Sequence, residues 1–349
     1  MDSQKHCFAE NVNPHTLTVL CTYKCTAACQ QCCFESSPKV TGRLDLDVIL
    51  RRISESKSEF PSIKIVVFSG GEATLLKSDL IEAIAYSTEL GLLTRVVSNG
   101  SWGKSPSTAT RTASGFLNAG LKELNLSTGK DHQEWVPAES VINAAIATAE
   151  QGIFVLITVE ADDFENARFR RIADDPRIAS HVKSRRISVQ SNSWMPFTAE
   201  ADKRHQSQDL DSLRSGCGQI FGNIVITPHD NISACCGLTL EHIPEMRLGK
   251  CNGTNIGTLY KAQADDFLKY WIRMDGPYSI LETILGEESK AILQDVVHTC
   301  QACVILHKNP NVRNRLLLDY EKYVPDVMSR FHLSNAVANA GAGTGAGNQ

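Results

Sequence analysis

The chain has 349 residues, 42% of them hydrophobic and 21% charged; this is enough apolar side chain for a sizeable core and too much for a mostly disordered protein. Lys and Arg number 35 against 39 Asp and Glu, a formal net charge of −4 that gives no electrostatic footprint for nucleic acid or an anionic membrane. The unusual count is 12 cysteines, in two groups with none between Cys33 and Cys217.

The N-terminal MDSQKHCFAENVNPH has no signal-peptide core, and no run of about 18 apolar residues predicts a membrane span. A cytoplasmic location is expected, where thiols stay reduced and clustered cysteines read as metal ligands or catalysts rather than disulfides.

In chain order, strands are predicted at LTVLC (17–21), IKIVVF (63–68), TRVVS (94–98), LKELNLS (121–127), FVLITVE (154–160) and RISVQ (186–190). Their nearly continuous β-branched apolarity predicts burial on both faces. Helical spacing joins Leu44, Val48, Ile49 and Ile53 after the first strand and Leu80, Ile81 and Ile84 after the second. A further helix starts near Pro137, turns Val141, Ile142, Ala145, Ile146 and Ala149 inward, and stops before Gly152. The alternation predicts an α/β fold, a parallel (β/α)6 unit over residues 16–210 behind a 1–15 extension. From about Ser215 the pattern changes. GNIVITPHDNISACC reads as a hairpin, with helical stretches at 255–274 and 278–297 and a cysteine pair at 300 and 303. This predicts a smaller domain over 211–310, a helical segment over 311–334, and a disordered Ala/Gly-rich tail over 335–349.

Between the first strand and the first helix runs CTYKCTAACQQCCF, with C-x3-C-x2-C at Cys25, Cys29 and Cys32. Three ligands this close can grip three irons of a cubane and leave the fourth open. Taken alone, the loop also permits a zinc site or unligated reactive thiols. FSGGEATLL follows the second strand and VSNG the third. Gly70 and Gly71 would let backbone approach a ligand, Glu72 would accept a hydrogen bond, and Ser98 and Asn99 would offer donors and acceptors before Gly100. All three motifs fall at the C-terminal ends of successive strands, where such sheets place active sites.

This ordered set resembles the radical S-adenosylmethionine (SAM) enzymes, over about residues 15–210. The resemblance implies a partial, TIM-like (β/α)6 barrel, a 4Fe-4S cluster on Cys25, Cys29 and Cys32, and SAM on its open iron. It also implies reductive cleavage to a 5′-deoxyadenosyl radical that abstracts a substrate hydrogen. SAM contacts would come from Gly70, Gly71, Glu72, Ser98, Asn99 and Ser127. The family's usual aromatic residue before the third cysteine is replaced by Gln31. His132 and Glu160, at later strand ends, are candidate substrate contacts; a solvated loop histidine and a rim carboxylate are the plainer readings.

The segment CGQIFGNIVITPHDNISACC and the distant C-x2-C resemble the auxiliary-cluster domains called SPASM and Twitch, with Asn231 where the turn glycine usually stands. Six cysteines are too few for two auxiliary clusters, so one second 4Fe-4S cluster is implied, on Cys217, Cys236, Cys300 and Cys303. Cys235 is an adjacent substitute for Cys236, and a structural zinc on the same ligands stays open. Cys251 is left as a candidate hydrogen-atom donor, as in radical SAM epimerases, against an inert buried thiol or a substrate ligand.

The implied function is modification of a ribosomally made peptide, by crosslinking or epimerisation, with an external reductant such as flavodoxin or ferredoxin and neither nucleic acid nor membrane as partner. Too few residues precede the first strand for a leader-binding domain of about 50 residues. The alternatives are dehydrogenation or epimerisation of a sugar- or aminocyclitol-like molecule, and a noncatalytic iron-sulfur or zinc protein that binds a partner or carries electrons.

Overall fold

The computed structural model describes residues 12–161, 166–193, 195–197 and 208–343. Six strands, β1 (Thr16–Thr22), β2 (Ile65–Gly70), β3 (Leu93–Ser98), β4 (Glu123–Thr128), β5 (Phe154–Glu160) and β6 (Ile187–Asn192), run parallel, each beside its predecessor. Each of the six predicted strands is present, with ends shifted by up to two residues. Between them lie helices α1 (Leu46–Glu59), α2 (Ser78–Glu89), α3 (Pro106–Ala119), α4 (Ala138–Glu150), α5 (Ala167–Ala173) and α6 (Pro176–Lys183). The α1 face that packs inward is Ile49, Arg52, Ile53 and Ser56; Leu44 is buried but precedes the helix.

Burial on both faces holds for β1, where every residue after Thr16 is buried. In β3, β4 and β5 buried and half-buried residues alternate instead. The half-buried set includes Val97, Ser127, Thr158 and Glu160, which line a cavity.

The expected smaller domain has no sheet of its own. β7 (Asn223–Ile226) pairs in parallel with β1, and β8 (Asn231–Ser233) and β9 (Arg247–Lys250) follow antiparallel. The result is one nine-stranded sheet in the order β6-β5-β4-β3-β2-β1-β7-β8-β9, with no pairing that closes it among the described residues. At the β7–β8 turn the left-handed residue is Asp230, φ 59°, rather than Asn231, which already belongs to β8. Buried Arg52 donates from Nε and Nη2 to the Asp230 carboxylate, at 2.8 and 2.6 Å, and from Nη2 to the Cys251 carbonyl at 3.0 Å, so helix α1 clamps this hairpin to the main layer.

Helices α7 (Ile256–Lys261), α8 (Phe267–Leu285), α9 (Thr299–Lys308) and α10 (Pro310–Asp319) follow. The expected single helix over 255–274 is broken after Lys261, and α8 kinks at Gly276, φ 75°, just before Pro277. The tail expected to be disordered from 335 is helical as far as Gly343, in α11 (Val324–Gly343). Val327 and Phe331 anchor that helix in the core, and the alanines beyond have the highest helix propensity. Residues 344–349 and Cys7 lie outside the described residues.

Candidate active site

The loop after β1 brings Cys25, Cys29 and Cys32 to the wall of a cavity of about 320 Å³, together with Gly70, Gly71, Ser98, Asn99, Ser127, His132 and Glu160. Amides point at the sulfurs. Ala27 N donates to Cys25 Sγ at 3.4 Å, Asn99 Nδ2 to the same sulfur at 3.5 Å, and Ser36 N to Cys32 Sγ at 3.4 Å. Burial pushes the Cys25 thiol up to about 11 and the Cys29 thiol up as well. Cys32 is lowered to about 6, chiefly by a hydrogen bond from the Cys33 side chain. Cys25 and Cys29 resist ionising while Cys32 ionises readily, and N–H donors face Cys25 and Cys32; deprotonated together, the three would suit a cationic iron cluster.

The glycines serve the loop. A Cβ on Gly70, φ 124°, would sit 2.5 Å from the Thr22 carbonyl oxygen, and one on Gly71 would fall on the Lys24 carbonyl. Gly71 N donates to Thr22 O at 2.7 Å and Glu72 N to Lys24 O at 3.0 Å. The close approach that demands glycine is thus made by the chain's own cysteine loop.

Glu72 is fully buried and does not line the cavity. Its carboxylate accepts from Thr74 Oγ1 at 2.5 Å, Thr74 N at 3.2 Å, Ser98 Oγ at 2.9 Å and Asn99 N at 2.8 Å. Burial raises its pKa, with these donors pulling the other way. Glu72 therefore ties the β2 and β3 turns together. Ser98 Oγ also accepts from Gly100 N and Trp102 Nε1, both at 3.1 Å, and Gly100 is left-handed, φ 75°. Asn99 Nδ2 reaches Thr26 Oγ1 at 3.0 Å.

His132 and Glu160, read separately from sequence, form a pair. Nδ1 lies 2.8 Å from Oε1. Burial opposes the imidazolium, but Glu160 prevails and raises the His132 pKa. Their meeting depends on Gly129, φ 150°, where a Cβ would collide with the Glu160 side chain. Gln31 Oε1 accepts from Phe197 N at 2.7 Å, so the residue that departs from the aromatic pattern pins a wall of the same cavity.

A second cavity, about 330 Å³, is lined by Cys217, Cys235, Cys236, Cys300 and Cys303. Cys235 interacts electrostatically with Cys217, Cys300 and Cys236, and Cys303 with Cys235, Cys300 and Cys217, and a Cβ on Gly237 would touch both Cys300 Sγ and Cys235 Sγ. Cys236 also interacts with Thr18 and Cys33. Both adjacent thiols border the second cavity with Cys217, Cys300 and Cys303, and Cys236 borders the first cavity as well. Burial raises Cys235 to about 12 and Cys300 to about 11, with their neighbours adding to the rise. His298 Nδ1 accepts from Cys300 N at 3.0 Å, capping α9 and fixing the first of its two cysteines.

Cys251 lines neither cavity. It follows β9, and its N–H donates to Asp230 O at 3.1 Å beside Arg52. Cys33 and Cys236 are the thiols that the motif reading left out of the first cavity; the alternation within a Cys-Cys pair was the available signal.

No protein-family model matches the chain. It is 23% identical over 320 residues to YydG of Bacillus subtilis (strain 168), a protein whose name assigns it to peptide biosynthesis; the match covers 88% of this chain and 97% of YydG. The solved structure of native anSMEcpe with bound AdoMet and the Cp18Cys peptide superposes with TM-score 0.57 at 12% identity, over 91% of this chain and 99% of that one. The same protein with AdoMet alone gives 0.55 at 13% identity, over 91% and 100%.

Proposed function

We propose that this chain, whose fold is that of radical SAM enzymes, cleaves S-adenosylmethionine reductively and modifies a ribosomally made peptide, with inversion of a Cα centre favoured over crosslinking. One observation carries the reading: the three-cysteine loop, the glycine and serine-asparagine turns and a further thiol, Cys236, all border a single cavity. YydG and the peptide complex of anSMEcpe support a peptide as substrate.

Cys25, Cys29 and Cys32 hold one 4Fe-4S cluster, and Cys217, Cys235, Cys300 and Cys303 hold the other. Bound SAM with its cluster supplies the 5′-deoxyadenosyl radical that removes a hydrogen atom from the substrate. Asn99 and Ser127 present polar groups to the cofactor, while Gly70, Gly71, Glu72 and Ser98 keep its loops in register. The His132 imidazolium, held by Glu160, donates to substrate carbonyls. Burial favours the protonated Cys236 thiol, so it can return a hydrogen atom to the substrate radical, and the thiyl radical left behind is restored by one electron from the external reductant and one proton from solvent.

Among the described residues no helix is long and apolar enough to cross a membrane; the working location is the cytoplasm, with flavodoxin or ferredoxin as reductant. The test is anaerobic reconstitution with dithionite and SAM, followed by assay for 5′-deoxyadenosine. Wild-type protein with about eight irons forms it, and replacement of Cys25, Cys29 and Cys32 by Ala abolishes it. No 5′-deoxyadenosine from fully loaded protein would overturn the reading.

A further inference from the structure

The nine-stranded sheet ends at β6. Val155 N donates to Arg186 O and Ala161 N to Asn192 O, both at 2.9 Å. Because alternate residues of a strand direct both backbone groups to the same side, Arg186, Ser188, Gln190 and Asn192 bond to β5. Ile187, Val189 and Ser191 therefore direct their N–H and C=O groups outward, and among the described residues no strand pairs with them.

Their side chains are not what holds this edge open. Ile187 is buried and Val189 packs on the core, so the outward backbone groups sit on a fixed strand. Natural sheets guard such edges with charge, proline or a bulge, yet Ile187–Asn192 carries neither charge nor proline, and its ladder to β5 is unbroken. The edge also leads somewhere. Asn192 and Ser193, at its C-terminal end, line the active-site cavity with Thr158 and Glu160. At the other end Lys183, Arg185 and Arg186 are exposed with no acidic residue from 183 to 193.

We propose that the free edge of β6 is the docking site for the substrate, an extended and net-acidic peptide that adds as a tenth strand. Hydrogen bonds from Ile187, Val189 and Ser191 hold its backbone, Lys183 and Arg185 receive its acidic residues, and the residue beyond Ser191 is delivered into the cavity. The inference rests on the peptide reading above and adds where and how the peptide binds. Main-chain pairing supplies affinity that tolerates many sequences, and the charge at one end sets direction.

The probe is a displayed library of random 12-residue peptides, selected on reconstituted protein with SAM. Enriched peptides are expected to be acidic, and their binding to slow hydrogen exchange at the amides of Ile187, Val189 and Ser191, while Ser188, Gln190 and Asn192 are already slow. N-methylation of alternate peptide residues should weaken binding about tenfold in one register and little in the other. Val189→Pro should abolish binding, with iron content and circular dichroism checked for folding; the N-methyl series needs no variant protein. Failure to enrich any peptide, binding without edge protection, or equal response in both N-methyl registers would overturn the proposal. So would a dimer dissociated by Val189→Pro, since a second copy would then own the edge. Protein that cleaves SAM but fails these edge tests refutes this inference alone; edge binding without SAM cleavage refutes the radical reading alone.

Discussion

Replacing Glu72 separates two roles for the glycine-glycine-glutamate turn. If Glu72 is a brace, Glu72→Ala strips the acceptor from Ser98 Oγ and Asn99 N, which are 3% and 6% exposed as residues. Each buried donor left without a partner costs about 1–3 kcal/mol, so the protein should lose roughly 2–6 kcal/mol before any cofactor binds. Glu72→Gln keeps one carbonyl oxygen and should lose only about 1–3 kcal/mol. Urea unfolding without SAM, followed by Trp fluorescence, is the assay, because Trp102 Nε1 bonds to Ser98 Oγ and reports on this turn. Hydrogen exchange at the Asn99 amide should accelerate in parallel. Unchanged unfolding midpoints in both variants, with SAM affinity lowered, would refute the bracing argument and return Glu72 to direct cofactor contact.

Cys235→Ala should lose the iron of the auxiliary site while Cys236→Ala keeps it; iron analysis with Mössbauer spectra distinguishes them. With peptide substrate in deuterated solvent, wild-type protein should place deuterium at the inverted Cα and Cys236→Ala should not, although 5′-deoxyadenosine still forms. Gly71→Ala should abolish cluster reconstitution, read from the visible absorption spectrum, because its Cβ would occupy the Lys24 carbonyl position. The His132–Glu160 pair raises the histidine pKa. Its stability contribution is therefore complete below the ordinary histidine value of about 6.5 and disappears as pH rises through the raised one; Glu160→Gln should flatten that part of the pH–stability curve.

Legibility followed locality. The strands were readable because β-branched runs between glycine-rich turns leave few alternatives, and the cysteine loop because its three ligands are adjacent in sequence. What could not be read is what distant chain segments do to one another. The bonds from Ser98 and Asn99 to Glu72 span 26 and 27 residues, beyond the reach of a local motif. His132 and Glu160 are likewise joined only by the β4–β5 register and the bare Cα of Gly129. The hairpin read as a separate domain because nothing in NIVI announces that its partner is β1.

The Cys235–Cys236 pair explains how one strand end can serve both cavities. Ser233 is the last residue of β8, and Cys235 and Cys236 follow it outside any strand. Cys235 borders the auxiliary cavity, while Cys236, Gly237 and Leu238 line both. A slip of one residue would exchange the two thiols, putting the buried hydrogen donor among cluster ligands and a ligand beside substrate. The register is fixed upstream, where Arg52 locks the Asp230 turn with two hydrogen bonds of 2.6 and 2.8 Å. Arg52→Ala would leave Asp230 without its guanidinium partner and loosen that turn, although no residue of the α1 contact touches either cavity. Such a variant should therefore lose auxiliary iron and stereochemical inversion together, whereas loss of iron with inversion intact would show that the turn does not set the register.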